Sequence, residues 1–218
     1  MLIAEPTKYG AGVSIYGDYW DLNELHETIH YLAEANSLSH HLSDFVLGLA
    51  YDIRHAFQRD RKEKTFGHDE YDKVKYRGVD ILWPIIIVQT ALLRWSAGFM
   101  PTNKTHQANL YKLESCIEIS LNSYDPDIGC YCVDWLSKFS GFSKNYIVSF
   151  VSHCTKKYIY EGKAGKARFR KLPFILDSFF PLSKEYREYE ESIIKIASQK
   201  KCDPNEIQDI SEWPEFRW

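Results

Sequence analysis

The chain opens with alternating apolar and polar positions and continues with apolar residues spaced three and four apart. Residues 2–5 and 11–17 show the alternation that is typical of half-buried β-strands. Two glycines within residues 9–12 favour a turn at this point. The pattern therefore predicts a small N-terminal β-hairpin.

From residue 21 onward the spacing predicts helices. Asp21 is a predicted N-cap, with Glu24 as its capping-box partner. The next helix has an apolar stripe over four turns, and it is expected to end in the charged run at residues 59–64. The members of this stripe are Leu42, Phe45, Val46, Leu49, Ile53, Ala56 and Phe57.

The middle of the chain combines a polar segment with the most apolar helix. Residues 68–79 are polar and predict a loop that includes a short strand at residues 73–76. Asp80 is the predicted N-cap of the following helix, and Pro84 lies in its first turn, where proline is tolerated. Because this helix is apolar on nearly all sides, we expect it at the centre of the protein.

Four further helices are predicted, beginning near Thr105, Pro126, Ser143 and Ser183. A basic loop at residues 162–171 and an apolar connection at residues 172–182 precede the last of them. The sequence therefore predicts a mainly α protein, a bundle of about seven helices with a small N-terminal β-hairpin.

The length of 218 residues suits a single domain over residues 1–218. Within it we expect the hairpin in residues 1–20, the helical bundle in residues 21–200 and an acidic aromatic tail in residues 201–218. A formal net charge of −3 argues against a protein that coats nucleic acid with its whole surface.

Cysteine usage and the terminal sequence indicate a cytoplasmic location. The five cysteines are odd in number and fit neither a disulfide framework nor a zinc-ribbon spacing, which favours reduced thiols. The N-terminus has no signal-peptide pattern, and no apolar run is long enough to cross a bilayer. Walker, dinucleotide-binding and nucleophile-elbow motifs are also missing from the sequence.

Two stretches, AEPTKYGAGVSIYGDYWDL and YDIRHAFQRDR, resemble a bacterial family of uncharacterised domains. The resemblance extends over much of the chain. It implies a bacterial origin and a complete protein of this length, and it carries over no activity and no functional residue.

The most specific chemical motif is the HExxH string at residues 26–30. Two histidines four residues apart lie on one face of a helix, so His26 and His30 could share a Zn²⁺ ion, with Glu27 as the catalytic general base. A third ligand is missing at the usual spacing, and the candidates for that role are His40, His41 or an acidic residue elsewhere in the chain. The alternative interpretation is that both histidines only flank the buried face of an amphipathic helix.

A basic stretch with interleaved aromatic residues extends from residue 156 to 171. Such a stretch can contact phosphates through its cations and stack bases on its rings. The predicted anion-binding or nucleic-acid-binding residues are Lys163, Lys166, Arg168, Arg170 and Lys171. The alternative is a solvated loop whose charge offsets the acidic C-terminal region.

A third pattern is the pair Arg61 and His68, whose rough spacing is that of the active site in small helical ribonucleases. There a histidine acts as an acid–base group and an arginine holds the scissile phosphate.

The tail contributes a further candidate, because Trp213, Phe216 and Trp218 are too apolar for a free segment. We expect them to dock on the body of the protein or to contact a partner.

These patterns favour a non-catalytic bacterial binding or regulatory protein that acts through protein–protein contact, of the immunity, antitoxin or defence-accessory type. The alternatives are a zinc-dependent hydrolase that uses His26, Glu27 and His30, and a helical ribonuclease that uses Arg61 and His68. We expect no cofactor, or zinc if the hydrolase hypothesis holds. We expect a protein partner and no contact with a membrane. RNA or another phosphate-bearing ligand is an alternative partner for the basic loop, and a homodimer is also possible.

Overall fold

The computed structural model describes residues 1–34, 38–67, 73–138, 146–180, 182–207 and 212–218. Four strands form one antiparallel sheet in the order β1-β2-β4-β3. The strands are β1 (Ile3–Pro6), β2 (Gly12–Gly17), β3 (Lys62–Phe66) and β4 (Val74–Leu82).

The described part of the chain has eight helices of seven residues or more and one four-residue helical turn, α7. The helices are α1 (Tyr19–Ala33), α2 (His40–Phe57), α3 (Trp83–Ala97), α4 (Lys104–Tyr124), α5 (Pro126–Lys138), α6 (Ile147–Glu161), α7 (Lys166–Phe169), α8 (Leu172–Ser178) and α9 (Lys184–Lys200). A 3₁₀ turn, Pro204–Glu206, follows the last helix. None of these helices is both long and apolar enough to cross a membrane.

The mainly helical class and the N-terminal strand pair are confirmed. Strand β1 pairs with β2 so that Ile3 lies opposite Tyr16 and Pro6 opposite Val13. Val13 and Ile15 are completely buried, as the alternation of apolar and polar positions predicts. The helix count was wrong, because the described residues form eight helices where about seven were predicted.

The region between α2 and α3 contains the largest error of the sequence prediction. The charged run at residues 59–64 does not extend α2, which ends at Phe57, but turns the chain and enters β3. Strand β4 is nine residues long and pairs with both β2 and β3, so the sheet has four strands. Every charged residue of β3 is exposed, which explains why this strand lacks the usual apolar signal.

Asp80 was also assigned wrongly. It lies inside β4 instead of capping α3, which begins at Trp83. Its carboxylate accepts hydrogen bonds from the Ser14 hydroxyl and from the Lys62 ammonium group, the latter at 2.6 Å. These cross-strand bonds hold the polar group at the surface of the sheet, while the neighbouring Val79 and Ile81 are buried.

Other helix ends follow local chemistry. Asp18 caps α1 by accepting a bond from the Asp21 amide at 2.8 Å, so the cap lies three residues before the predicted one. Ser183 caps α9 as predicted. Residues 172–182 were expected to be an irregular connection, but Leu172–Ser178 is helix α8. Ser143 lies outside the described residues.

The core forms around α3, as its apolar pattern predicts. Trp83, Ile86 and Ile87 are completely buried, and helices α1, α2, α4, α5, α6 and α8 all contact this helix. A helix with no polar face is stable only when other elements cover it on all sides.

The turn between β1 and β2 is held by side chains from the second half of the chain. The Tyr158 hydroxyl donates to the Gly10 carbonyl at 2.6 Å, and the Tyr124 hydroxyl donates to the Lys8 carbonyl at 3.3 Å. The Gly165 amide donates to the Tyr9 carbonyl at 2.7 Å. Gly10 has a φ of 67°, and a Cβ atom there would lie 2.6 Å from the Gly165 carbonyl oxygen, so only glycine fits.

Arg168 completes this arrangement from within the protein. It is 5% exposed, and its guanidinium group donates to the carbonyls of Tyr9, Ile159 and Gly162 at 3.3, 3.5 and 3.2 Å. A buried guanidinium group is tolerated when its donors are satisfied, and here three backbone acceptors surround it.

We expect Arg168→Met to lower the free energy of unfolding by roughly 3 kcal/mol, because buried carbonyl groups lose their donors. Urea denaturation followed by tryptophan fluorescence measures this change. Lys166→Met is the matched control, since Lys166 is exposed and its loss should change stability by no more than about 0.5 kcal/mol. Equal stability of the two variants would show that Arg168 does not hold the turn.

Candidate functional site

The described residues form a groove with a volume of about 870 Å³. It lies between one face of α6, one face of α9 and helix α8, and Ile207 lines it beyond the end of α9. A volume of this size lies at the upper end of the range for ligand sites in proteins. We refer to this feature as the α6–α9 groove.

The spacing of the lining residues explains the shape of the groove. From α9 the lining residues recur at three and four over the whole helix, from Glu185 to Lys200, so one complete helix face is directed into the groove. The α6 residues cover the helix from Phe150 to Glu161 in the same way. The two helices contact each other through rings, since Phe150 lies 5.1 Å from both Tyr186 and Tyr189 between ring centroids.

The floor of the groove is apolar and its rim is charged. Phe150, Cys154, Tyr158, Ile175 and Ile193 are buried floor residues. The charged lining residues are Lys157, Glu161, Lys171, Glu185, Glu188 and Lys200. An apolar floor between charged rims of both signs is typical of a surface that receives an amphipathic segment.

Cys154 is the nucleophilic group on the floor. Burial raises the pKa of this thiol to about 12, so it stays protonated at neutral pH. Its sulfur lies 3.5 Å from the Ser178 hydroxyl, which itself donates to the Ile175 carbonyl at 2.6 Å. A protonated thiol with such neighbours behaves as a packing group and not as an activated nucleophile.

The predicted basic site is distributed over four environments. Arg168 is buried beneath the β1–β2 turn, and Arg170 lies 3.3 Å from the Asp125 carboxylate. Lys163 and Lys166 are exposed near the start of α7, while Lys171 lies on the rim of the α6–α9 groove. Arg168 is therefore a structural cation. The prediction of an anion site now applies only to the other four residues.

The HExxH residues lie on α1 with the geometry that their spacing predicts. The rings of His26 and His30 are 4.4 Å apart between centroids, and the His26 ring also contacts Phe57 at 5.6 Å. His26 is half-buried, whereas Glu27 and His30 are exposed. Glu27 accepts a hydrogen bond from the Asn23 side chain at 3.1 Å.

The proposed third ligands lie at the other end of the α1–α2 pair. His26 contacts the C-terminal end of α2, while His40 and His41 begin that helix, roughly 24 Å away along its axis. Among the described residues, no group of three His, Cys, Asp or Glu side chains could hold a metal ion. The structure therefore brings the two histidines together without His40 or His41.

Other charges surround this pair. Burial, the His30 ring and the Arg54 guanidinium group together lower the pKa of His26. Arg54 thus lies close to His26, although the sequence gives no sign of it. Arg61 forms an ion pair with Asp52 at 3.5 Å, and its proposed partner His68 lies outside the described residues.

The aromatic tail docks on the body of the protein. The Trp218 carbonyl accepts a bond from the Tyr9 amide at 3.3 Å, and Phe216 packs against the main core. The Lys156 ammonium group lies 5.4 Å from the centre of the Trp213 ring. Trp213 and Trp218 stay partly exposed, so the predicted partner contact at these residues remains a prediction.

Comparisons with known proteins give one match. A family described as a domain of unknown function (DUF6904) matches residues 2–218. The chain belongs to this family. The predicted membership of an uncharacterised domain family is thereby confirmed. No curated protein and no solved structure matches the chain.

Sequence reasoning missed the α6–α9 groove. The helical spacing of Ile193 and Ile196 on α9, and of Phe150 and Cys154 on α6, predicts only a face that is buried against another element. The signal that a stripe faces a groove instead of another element is its charged border, here Lys157, Glu188 and Lys200. Such a border also occurs on ordinary surface helices, so it does not identify a groove without the fold.

We expect Arg54→Gln to raise the pKa of His26, because loss of the neighbouring positive charge favours the protonated imidazole. A proton NMR titration of the His26 ring signals measures this shift. Arg187→Gln removes an exposed cation on α9 and should leave the His26 titration unchanged. An unchanged His26 pKa in Arg54→Gln would contradict the arrangement of α1 and α2 described above.

Proposed function

We propose that the protein is a non-catalytic binding protein that holds an amphipathic helix of a partner protein in the α6–α9 groove. It acts in the cytoplasm, a location supported by its five free cysteines, of which Cys130 is exposed. The observation that carries the proposal is the groove itself, with its apolar floor and its charged rims.

The length of the groove favours a helix over a small molecule. The lining residues of α9 extend from Glu185 to Lys200, which is roughly 22 Å along the helix axis. A partner helix of about four turns would match this length. Recognition of this kind places apolar side chains at three and four spacing into the groove.

The rims define the charges of the partner. Lys157 and Lys171 lie where the groove meets α8, and no ion pair to another described residue reaches either ammonium group. Glu185 and Glu188 line the facing helix. A matching helix therefore carries acidic residues opposite Lys157 and Lys171 and basic residues opposite Glu185 and Glu188. The signs are reversed at the two lining residues Glu161 and Lys200.

The groups in and around the groove support binding better than catalysis. The Cys154 thiol is protonated at neutral pH, and the HExxH residues lie on α1, outside the groove lining. The zinc-hydrolase hypothesis still depends on His26, Glu27 and His30. Native mass spectrometry of the wild type and of His26→Ala tests it directly by measuring their zinc content. Of the two residues in the ribonuclease hypothesis, only Arg61 lies within the described part of the chain.

The proposal is tested with helical peptides selected from a display library on the purified full-length chain. We expect the enriched peptides to be amphipathic, and Ile196→Asp to weaken their binding at least tenfold, because a carboxylate then faces their apolar side. Fluorescence anisotropy of a labelled peptide measures the dissociation constants.

Ile194→Asp is the matched control. Ile194 is 48% exposed on the same helix but does not line the groove, so its replacement should leave the affinity within about twofold. Phe174→Ala provides a second groove variant, since this lining side chain is 72% exposed and contributes little to folding. Equal binding by wild type, Ile196→Asp and Phe174→Ala would refute the proposal, as would a library that yields no helical binder.

A further inference from the structure

Helices α1 and α2 bring together two groups of residues that are unrelated in the sequence. His26 and His30 project from α1, while Tyr51, Arg54 and His55 project from α2. The groups meet because the helices form the pair with the most extensive contact in the fold and the Arg54 charge reaches the His26 ring. We refer to this surface as the α1–α2 seam.

Aromatic rings continue along the seam towards the start of α1. The Tyr19 ring lies 5.5 Å from Phe57 and 5.3 Å from Trp20 between centroids. Trp20 is 70% exposed and Tyr51 is 51% exposed. Large exposed rings on a surface that also holds cations provide faces on which another flat ring can stack.

Arg54 is the positive charge of the seam that an outside ligand can reach, since its side chain is exposed. The Arg54 guanidinium group lies 5.3 Å from the centre of the Tyr51 ring, and no ion pair to another described residue engages it. The nearby carboxylates have partners of their own, since Asp52 pairs with Arg61 and Asp60 lies 2.9 Å from the His55 ring. Arg54 stacked on Tyr51 is thus a free positive charge beside an exposed ring.

The dimensions of the seam fit several nucleotides. His30 lies ten residues after Trp20, which is roughly 15 Å along α1. Successive stacked nucleotides advance by about 3.4 Å, so three or four would cover this distance. Because the rings must contact base faces, the bases have to be unpaired, which a duplex does not allow.

We propose that the α1–α2 seam binds single-stranded nucleic acid, with bases stacked on Trp20 and Tyr51 and a phosphate held by Arg54. His30, which is exposed beside His26, supplies a further ring and hydrogen-bond donor to the same strand. None of these residues lines the α6–α9 groove, so this site is independent of the proposed protein-binding site.

The test is a fluorescence-anisotropy titration of the full-length protein with a labelled 12-nucleotide single strand, as DNA and as RNA, and with a 12-base-pair duplex. We expect binding of a single strand in 50 mM salt and at least about fivefold weaker binding of the duplex. Tyr51→Ala should weaken single-strand binding at least about fivefold, because one stacking face is lost. Preference between DNA and RNA identifies the natural class of ligand.

The salt dependence isolates the role of Arg54. Arg54→Gln should reduce the slope of log affinity against log salt concentration by about 0.7, because one phosphate contact is lost. Tyr160→Ala and Arg187→Gln are the matched controls, since both side chains are exposed on other helices, and both variants should bind as the wild type does.

Three outcomes would overturn this inference: no binding of either single strand in 50 mM salt, binding of the duplex as tight as that of the single strands, or unchanged affinity and salt slope in both Tyr51→Ala and Arg54→Gln. All four substituted residues are exposed, so loss of folding does not confuse the result. Circular dichroism of each variant confirms this.

Discussion

Side chains from the second half of the chain hold the carbonyl groups of the β1–β2 turn. Tyr124, Tyr158 and Arg168 donate hydrogen bonds to the carbonyls of residues 8–10. Tyr158 belongs to α6 and Arg168 to α7, so α6, which borders the α6–α9 groove, is bonded directly to the edge of the sheet. The position of the α6–α9 groove relative to the sheet therefore depends on buried polar bonds as well as on apolar packing.

Local patterns in the sequence were sufficient for the helices and for the first two strands. The stripe of α2 and the cap at Ser183 depend on neighbours within a few residues, and such signals can be recognised from the sequence alone. Strand β3 could not be predicted, because Lys62, Glu63 and Lys64 have no apolar face, and their pairing with β4 depends on residues more than ten positions further along the chain. Helix α8 was obscured for a similar reason, since prolines at 173 and 181 are typical of an irregular segment.

In the candidate sites, too, contacts within one helix were predictable from the sequence, whereas contacts between distant segments were not. The HExxH spacing correctly predicted that His26 and His30 would be neighbours, because four residues make about one helical turn. Their approach to Arg54 depends on how α2 lies against α1, and no spacing within one helix contains this information. The basic stretch failed as a single site because Arg168 is directed inwards, where one of its acceptors, the Tyr9 carbonyl, lies 159 residues earlier in the chain.

The same long separation affects how the protein is made. During synthesis the turn at residues 8–10 leaves the ribosome well before its donor Arg168 on α7, which is 159 residues further along the chain. Contacts between α1 and α2 are local and can form while translation continues, whereas closure of the turn waits until α7 has been made. Until then the unsatisfied carbonyls are solvated by water, so this turn reaches its native environment long after its own residues have been translated.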